Sequence, residues 1–206
     1  MTREKGIIYT ARVMSIIFTP FYLPLVGLIL LFTFSYMKLL PVAYRLLVLT
    51  ITYSFTVLLP TILIRLYRHH QGWTLIELGQ RERRMVPYLI SIFCYFCCIW
   101  LMEHLHIYHF IGSILMAALL VQMTCVLINV WWKISTHTAA IGGVAGALIA
   151  FSHIFGFNPV WWLSVVLVVA GILGSARMIL RQHSLSQVVV GFAVGFVCAI
   201  LGITYL

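Results

Sequence analysis

Residues 175–187, SARMILRQHSLSQ, separate two apolar runs, 159–176 and 187–206, with two arginines and a histidine. Apolar runs of about 18–20 residues are long enough to cross the ~30 Å hydrocarbon core of a bilayer as helices. The stretch therefore reads as a tight turn between two transmembrane helices. Arg177 and His183 are six residues apart, and Gln187 follows His183 by four. Ionisable groups are costly to place in such a protein, and they mark sites of chemistry or transport.

The composition around the stretch agrees. Of 206 residues, 63% are hydrophobic and only 8% charged, against about 25% charged in a soluble domain. A water-soluble fold cannot hide that much apolar surface, so the chain is expected to be one integral membrane domain over residues 1–206. The net charge is +9, from 13 Lys and Arg against four acidic residues, all Glu. The absence of Asp bears on chemistry, because magnesium-dependent reactions of phosphates normally recruit carboxylates to hold the metal. No metal and no cofactor is expected. The basic excess suits anionic lipid head groups. Nucleic acid is not an expected partner, because the basic residues lie in short loops between spans. The five cysteines, Cys94, Cys97, Cys98, Cys125 and Cys198, all fall within apolar segments. They read as small buried hydrophobes.

Seven segments read as transmembrane helices: about 13–35, 41–64, 88–103, 109–130, 138–156, 159–176 and 187–206. The first follows Arg3, Lys5 and Arg12 with no small-residue cleavage site, and so reads as an uncleaved span. The third is short and would barely cross. The longest connection runs from Arg65 to Pro87, with a short interfacial helix expected over Trp73–Leu78. Counting crossings puts the N-terminus, the 65–87 loop, the 131–138 turn and the 176–187 turn on one side. Eleven of the 13 Lys and Arg lie there, and only Lys38 and Arg45 lie opposite. The excess predicts that this side is cytoplasmic. The expected location is a bacterial inner (cytoplasmic) membrane; the oligomeric state is not legible.

Three polar clusters thus share a side. They are Arg81-Glu82-Arg83-Arg84-Met85-Val86-Pro87, Lys133-Ile134-Ser135-Thr136-His137-Thr138, and Ser175–Gln187. Together they offer several permanent cations, hydroxyls and two histidines. Cations neutralise phosphoryl oxygens, one histidine can attack phosphorus, and another can protonate the leaving oxygen. The far side carries His104, His106, His109 and His153, which read as interfacial histidines in preference to a metal site. Gly142, Gly143, Gly146, Gly191 and Gly195 let helices approach closely, which would help hold the second and third clusters together.

These clusters resemble the type 2 phosphatidic acid phosphatase (PAP2) superfamily, whose motifs are K-x6-R-P, P-S-G-H and S-R-x5-H-x3-D. Arg177-x5-His183 has the family spacing, and Ser175 precedes Ala176 where the family has Ser directly before Arg. Ser135-Thr136-His137 is similar to S-G-H, with Thr for Gly and Ile134 for Pro. The resemblance covers roughly residues 80–195, preceded by two transmembrane helices within residues 1–66. It implies an all-α polytopic helix bundle of about six or seven spans and metal-independent hydrolysis of a lipid phosphate or diphosphate. His183 would be the phosphate-accepting nucleophile and His137 the general acid. Arg177 and Ser135 would bind phosphate; Lys133, beside Trp131 and Trp132, reads equally as a further phosphate ligand or as a snorkelling side chain.

The sequence departs from the family pattern in two places. No Arg directly precedes Pro87, and Arg81 and Arg84, three apart on one helix face, are taken as the first-motif phosphate ligands. The family's closing Asp is Gln187 here. Its amide oxygen can accept the same hydrogen bond without the charge. The alternative reading is a weak or inactive relative that binds lipid phosphates.

Overall fold

The computed structural model describes residues 3–34, 36–72 and 85–205. Arg81 and Arg84, and the helix expected over Trp73–Leu78, lie outside the described residues. The chain is all-helical, with no strand among the described residues. In chain order the helices are α1 (Arg3–Ile17), α2 (Leu23–Phe34), α3 (Val42–Tyr53), α4 (Leu59–Gln71), α5 (Met85–His104), α6 (His109–Trp131), α7 (Thr136–Phe155), α8 (Val160–Ile179) and α9 (Leu185–Thr204). Among the described residues six helices, counting α3 and α4 as one, are long and apolar enough to cross a membrane. The count reaches seven if α1 and α2 form one bent span. The protein is an integral membrane helix bundle. Trp131 and Trp161 remain largely exposed at opposite ends of the bundle, as aromatic side chains at the two bilayer interfaces do.

Three elements differ from the spans expected. The run 13–35 is not one helix: α1 and α2 meet at 70° across a 3-10 turn at Pro20–Tyr22. Pro20 removes a helical donor and disfavours helical geometry at Thr19, and Pro24 follows one turn later. The second span is longer than expected, because α3 and α4 run on as a 30-residue helix, Val42–Gln71. A π-helical turn at Ser54–Leu58 joins them just before Pro60; such a bulge relieves the clash that an interior proline creates. The third span is not short. α5 has 20 residues, ~30 Å, and begins at Met85 with Pro87 in its first turn, where the missing N–H removes no helical bond.

α9 is the centre of the C-terminal half of the bundle. Its glycines lie directly against α7 backbone: a Cβ at Gly195 would strike the Ala139 carbonyl, and one at Gly191 would sit 2.6 Å from the Ser135 carbonyl oxygen. Reciprocally, Gly142 and Gly146 of α7 abut the Phe192 and Phe196 carbonyls, and Gly202 abuts Ala117 of α6. With no driving force from water between helices in a bilayer, such backbone approach is how they associate. Elsewhere Leu28, Val48, Tyr95, Ile111, Leu115 and Ile203 form a core that joins α2, α3, α5, α6 and α9.

Candidate active site

Two helix N-termini meet at one end of the bundle. Ser135 is the N-cap of α7: its Oγ accepts from the Thr138 N–H at 3.4 Å. The Thr138 hydroxyl in turn donates to the Ser135 carbonyl at 3.0 Å. Ser184 caps α9 in the same way, accepting from the Gln187 N–H at 3.4 Å. The two caps are tied together, since the Ser135 N–H donates to the Gln187 carbonyl at 3.3 Å. Each N-terminus carries partial positive charge and unsatisfied N–H groups, the ingredients of an anion site.

The third partner is the end of α8. Arg177 lies in its last turn, 6% exposed. The chain then reverses within five residues: Gln182 N–H donates to the Arg177 carbonyl at 3.1 Å, and Arg181 takes a left-handed φ of 52°. The reversal delivers His183, 7% exposed, just before the cap of α9. Gly174, one turn before Arg177, makes the junction possible, because a Cβ there would lie 2.8 Å from Val188 of α9. The second and third clusters of the sequence are thereby brought to one place. Lys133, half-buried, stands two residues before Ser135. Arg181 is exposed. Residues 81–84 of the first cluster fall outside the described residues, but its last three residues open α5 nearby: the Asn129 amide nitrogen, near the end of α6, lies 3.8 Å from the Met85 sulfur.

His183 and Gln187 form the most informative contact. Nδ1 of His183 is 3.2 Å from Oε1 of Gln187, and the Ser184 backbone N–H donates to that same oxygen at 3.2 Å. A backbone N–H can only donate, so it fixes the amide with its oxygen, not its nitrogen, toward the ring. The oxygen can only accept, so Nδ1 carries the proton and the lone pair of the neutral ring sits on Nε2. Ser184 and Gln187 constitute a capping box, a pattern visible as S-x-x-Q ahead of an apolar run; that signal identifies Ser184 as a site residue, which comparison with the family motif alone passes over.

His137, in the first turn of α7, has a partner that the sequence does not announce. Its Nε2 lies 3.2 Å from the Ser15 carbonyl oxygen in the last turn of α1. A carbonyl only accepts, so this contact holds a proton on Nε2.

A cavity of about 480 Å³ opens from the site into the bundle. Thr136, His137 and Arg177 line it at the site end, and Phe151, Phe157 and Trp162 line it at the other. Among the described residues no three His, Cys, Asp or Glu side chains gather as a metal site; His104 instead stacks on Trp100 at 5.7 Å.

No curated protein and no solved structure matches the chain. The family model of the PAP2 superfamily matches residues 130–206, which span α7, α8 and α9 and hold Lys133, Ser135, His137, Arg177, His183 and Gln187. Over that segment, which carries both capped helix ends and the turn between them, the chain is similar to the PAP2 superfamily.

Proposed function

We propose that the protein hydrolyses a phosphomonoester or diphosphate on a lipid, without a metal, through a phosphohistidine on His183. The observation that supports this reading is the double acceptance at Gln187 Oε1, because it holds a proton on Nδ1 of His183, so that in the neutral ring the lone pair that attacks phosphorus is on Nε2. In the first step the Nε2 lone pair forms a bond to phosphorus and the phosphorus–oxygen ester bond breaks. The leaving oxygen takes a proton from His137, whose Nε2 is already committed to Ser15. In the second step water attacks the phosphorus, His137 accepts its proton, and the nitrogen–phosphorus bond breaks to release inorganic phosphate.

Phosphoryl transfer asks mainly for positioning and charge neutralisation. Arg177, Lys133 and the N-termini of α7 and α9 supply it from the described residues, with Arg81 and Arg84 proposed to complete it. Ser135 contributes through its cap: its own N–H is used on Gln187, so it shapes the anion pocket more than it donates to it. A Gln in place of the family's Asp supplies hydrogen bonding without charge, so the imidazolium that develops on His183 is less stabilised. This departure, with the absence of an Arg directly before Pro87, favours a lipid-phosphate binder that does not turn over.

Phosphate release from short- and long-chain lipid phosphates in detergent containing EDTA separates the readings. Turnover that survives EDTA and is lost in His183→Ala supports the proposal. No turnover on any lipid phosphate, with retained binding, supports the binder. Loss of turnover on chelation overturns the metal-independent mechanism.

A further inference from the structure

The cavity follows one face of α7. His137, Ala140, Gly143, Val144, Ala147 and Phe151 line it, at the three- and four-residue spacings that share a helix face. From His137 to Phe151 is fourteen residues, about 21 Å of helix at ~1.5 Å per residue. The α1–α2 elbow and one face of α2 face it, with Pro20, Pro24, Gly27 and Leu31, and α5 and α6 close the sides with Tyr95, Ile114 and Val121. Beyond Phe151 the cavity ends on Phe157 and Trp162, in the α7–α8 turn and the first turn of α8. Its cationic groups, Arg177 and His137, are all at the site end. The shape is a tube with a basic mouth and an apolar barrel.

The volume decides what fits. A methylene fills about as much space as a water in the liquid, ~30 Å³, so 480 Å³ holds about sixteen of them. Spread over about 21 Å, that is one methylene per ~1.3 Å, close to the advance of an extended hydrocarbon chain and half of what two chains side by side would need. From this we infer that the cavity takes the single hydrocarbon chain of the substrate, and that the enzyme prefers single-chain lipid phosphates or diphosphates of about sixteen chain carbons to diacyl ones. The inference rests on the phosphatase reading above for its head group, and on the α7 face and the elbow for its tail.

Two experiments on the full-length protein in detergent test it. The first compares initial phosphate release from alkyl monophosphates of eight, twelve, sixteen and twenty carbons with that from a diacyl phosphatidic acid. Rates are expected to climb to about sixteen carbons and then level or fall, with the diacyl lipid slower by about tenfold or more. Ala147→Phe, which plugs the barrel ten residues from His137, is expected to cut the sixteen-carbon rate to that of the eight-carbon substrate while leaving the latter within twofold. Equal rates for diacyl and single-chain substrates would overturn the inference, as would an Ala147→Phe loss that is the same at every chain length. The second needs no turnover: a non-hydrolysable hexadecyl phosphonate with a diazirine near the chain end is photocrosslinked and its site mapped. Crosslinks on Ala147–Phe157 or Trp162 support the tube, and crosslinks only on outward-facing residues overturn it. Crosslinking there with no hydrolysis of any substrate would leave the tube standing and bring down the phosphatase reading alone.

Discussion

The two halves of this bundle use glycine for opposite ends. In α7 and α9, Gly142, Gly146, Gly191 and Gly195 are pressed against a neighbour's backbone, where no Cβ fits. In the N-terminal half and on the outer helix, a Cβ at Gly6 or Gly171 would meet nothing within 4 Å, and one at Gly27 would meet only Ile114 at 3.7 Å. The tight half holds the groups proposed to do the chemistry: the two serine caps, Arg177 and the His183–Gln187 pair. The looser half leaves space, and that space is the cavity between α7 and the α1–α2 elbow. Precision and capacity are separated in the fold, and they touch where α1 offers the Ser15 carbonyl to His137.

The largest expected effect breaks the tight half outright. Gly195→Leu places a side chain where the Ala139 carbonyl already stands; overpacking of this kind costs about 3 kcal/mol or more. It is expected to abolish folded protein in a detergent size-exclusion and thermal-melt assay. A normal melt would mean that α7 and α9 are not in backbone contact.

Next comes Gln187→Ala, which removes the acceptor from His183 while leaving the helices packed. Loss of an orienting partner of this kind costs about 10–100-fold in activity, and kcat is expected to fall by that factor with a small drop in melting temperature, because the capping box loses the acceptor of the Ser184 N–H. An unaltered kcat would remove Gln187 from the mechanism.

A smaller change is expected of Ser184→Ala. It deletes the cap of α9, costing about 1 kcal/mol, but keeps the backbone N–H that orients the Gln187 amide. Stability should drop measurably and kcat by less than about threefold. The smallest effect belongs to the loose half. Gly171→Ala meets no atom within 4 Å and replaces glycine in mid-helix, so the melting temperature should hold or rise, by a stabilisation of at most about 1 kcal/mol. A clear destabilisation would mean that the outer face of α8 is packed against something.

Much of this was legible in the chain because bilayers impose simple rules. Apolar runs announced the spans, and counting them put Ser135 and Gln187 on one side, where their backbones meet. The spacing of Arg177 and His183 announced the turn. What escaped the sequence is of three kinds. A proline pair inside an apolar run, Pro20 and Pro24, leaves hydropathy unchanged while bending the backbone, so the elbow was hidden in an apparently continuous span. Pro60 misled less, because a π turn absorbs it and the helix runs on to Gln71. The partner of His137 is a backbone carbonyl 122 residues away, and a backbone atom has no residue type to read. Ser184 was obscured by overlap: one Gln serves both a helix cap and a histidine, and the second role draws attention from the first.

Gln187 is proposed to hold the proton on Nδ1 of His183 so that Nε2 attacks phosphorus. This is tested most directly by quenching turnover of a ³²P-labelled single-chain lipid phosphate in alkali, where phosphohistidine survives, and mapping the label to one ring nitrogen. Phosphate is expected on Nε2 of His183. Label on Nδ1, on His137, or on no histidine during demonstrated turnover would contradict it.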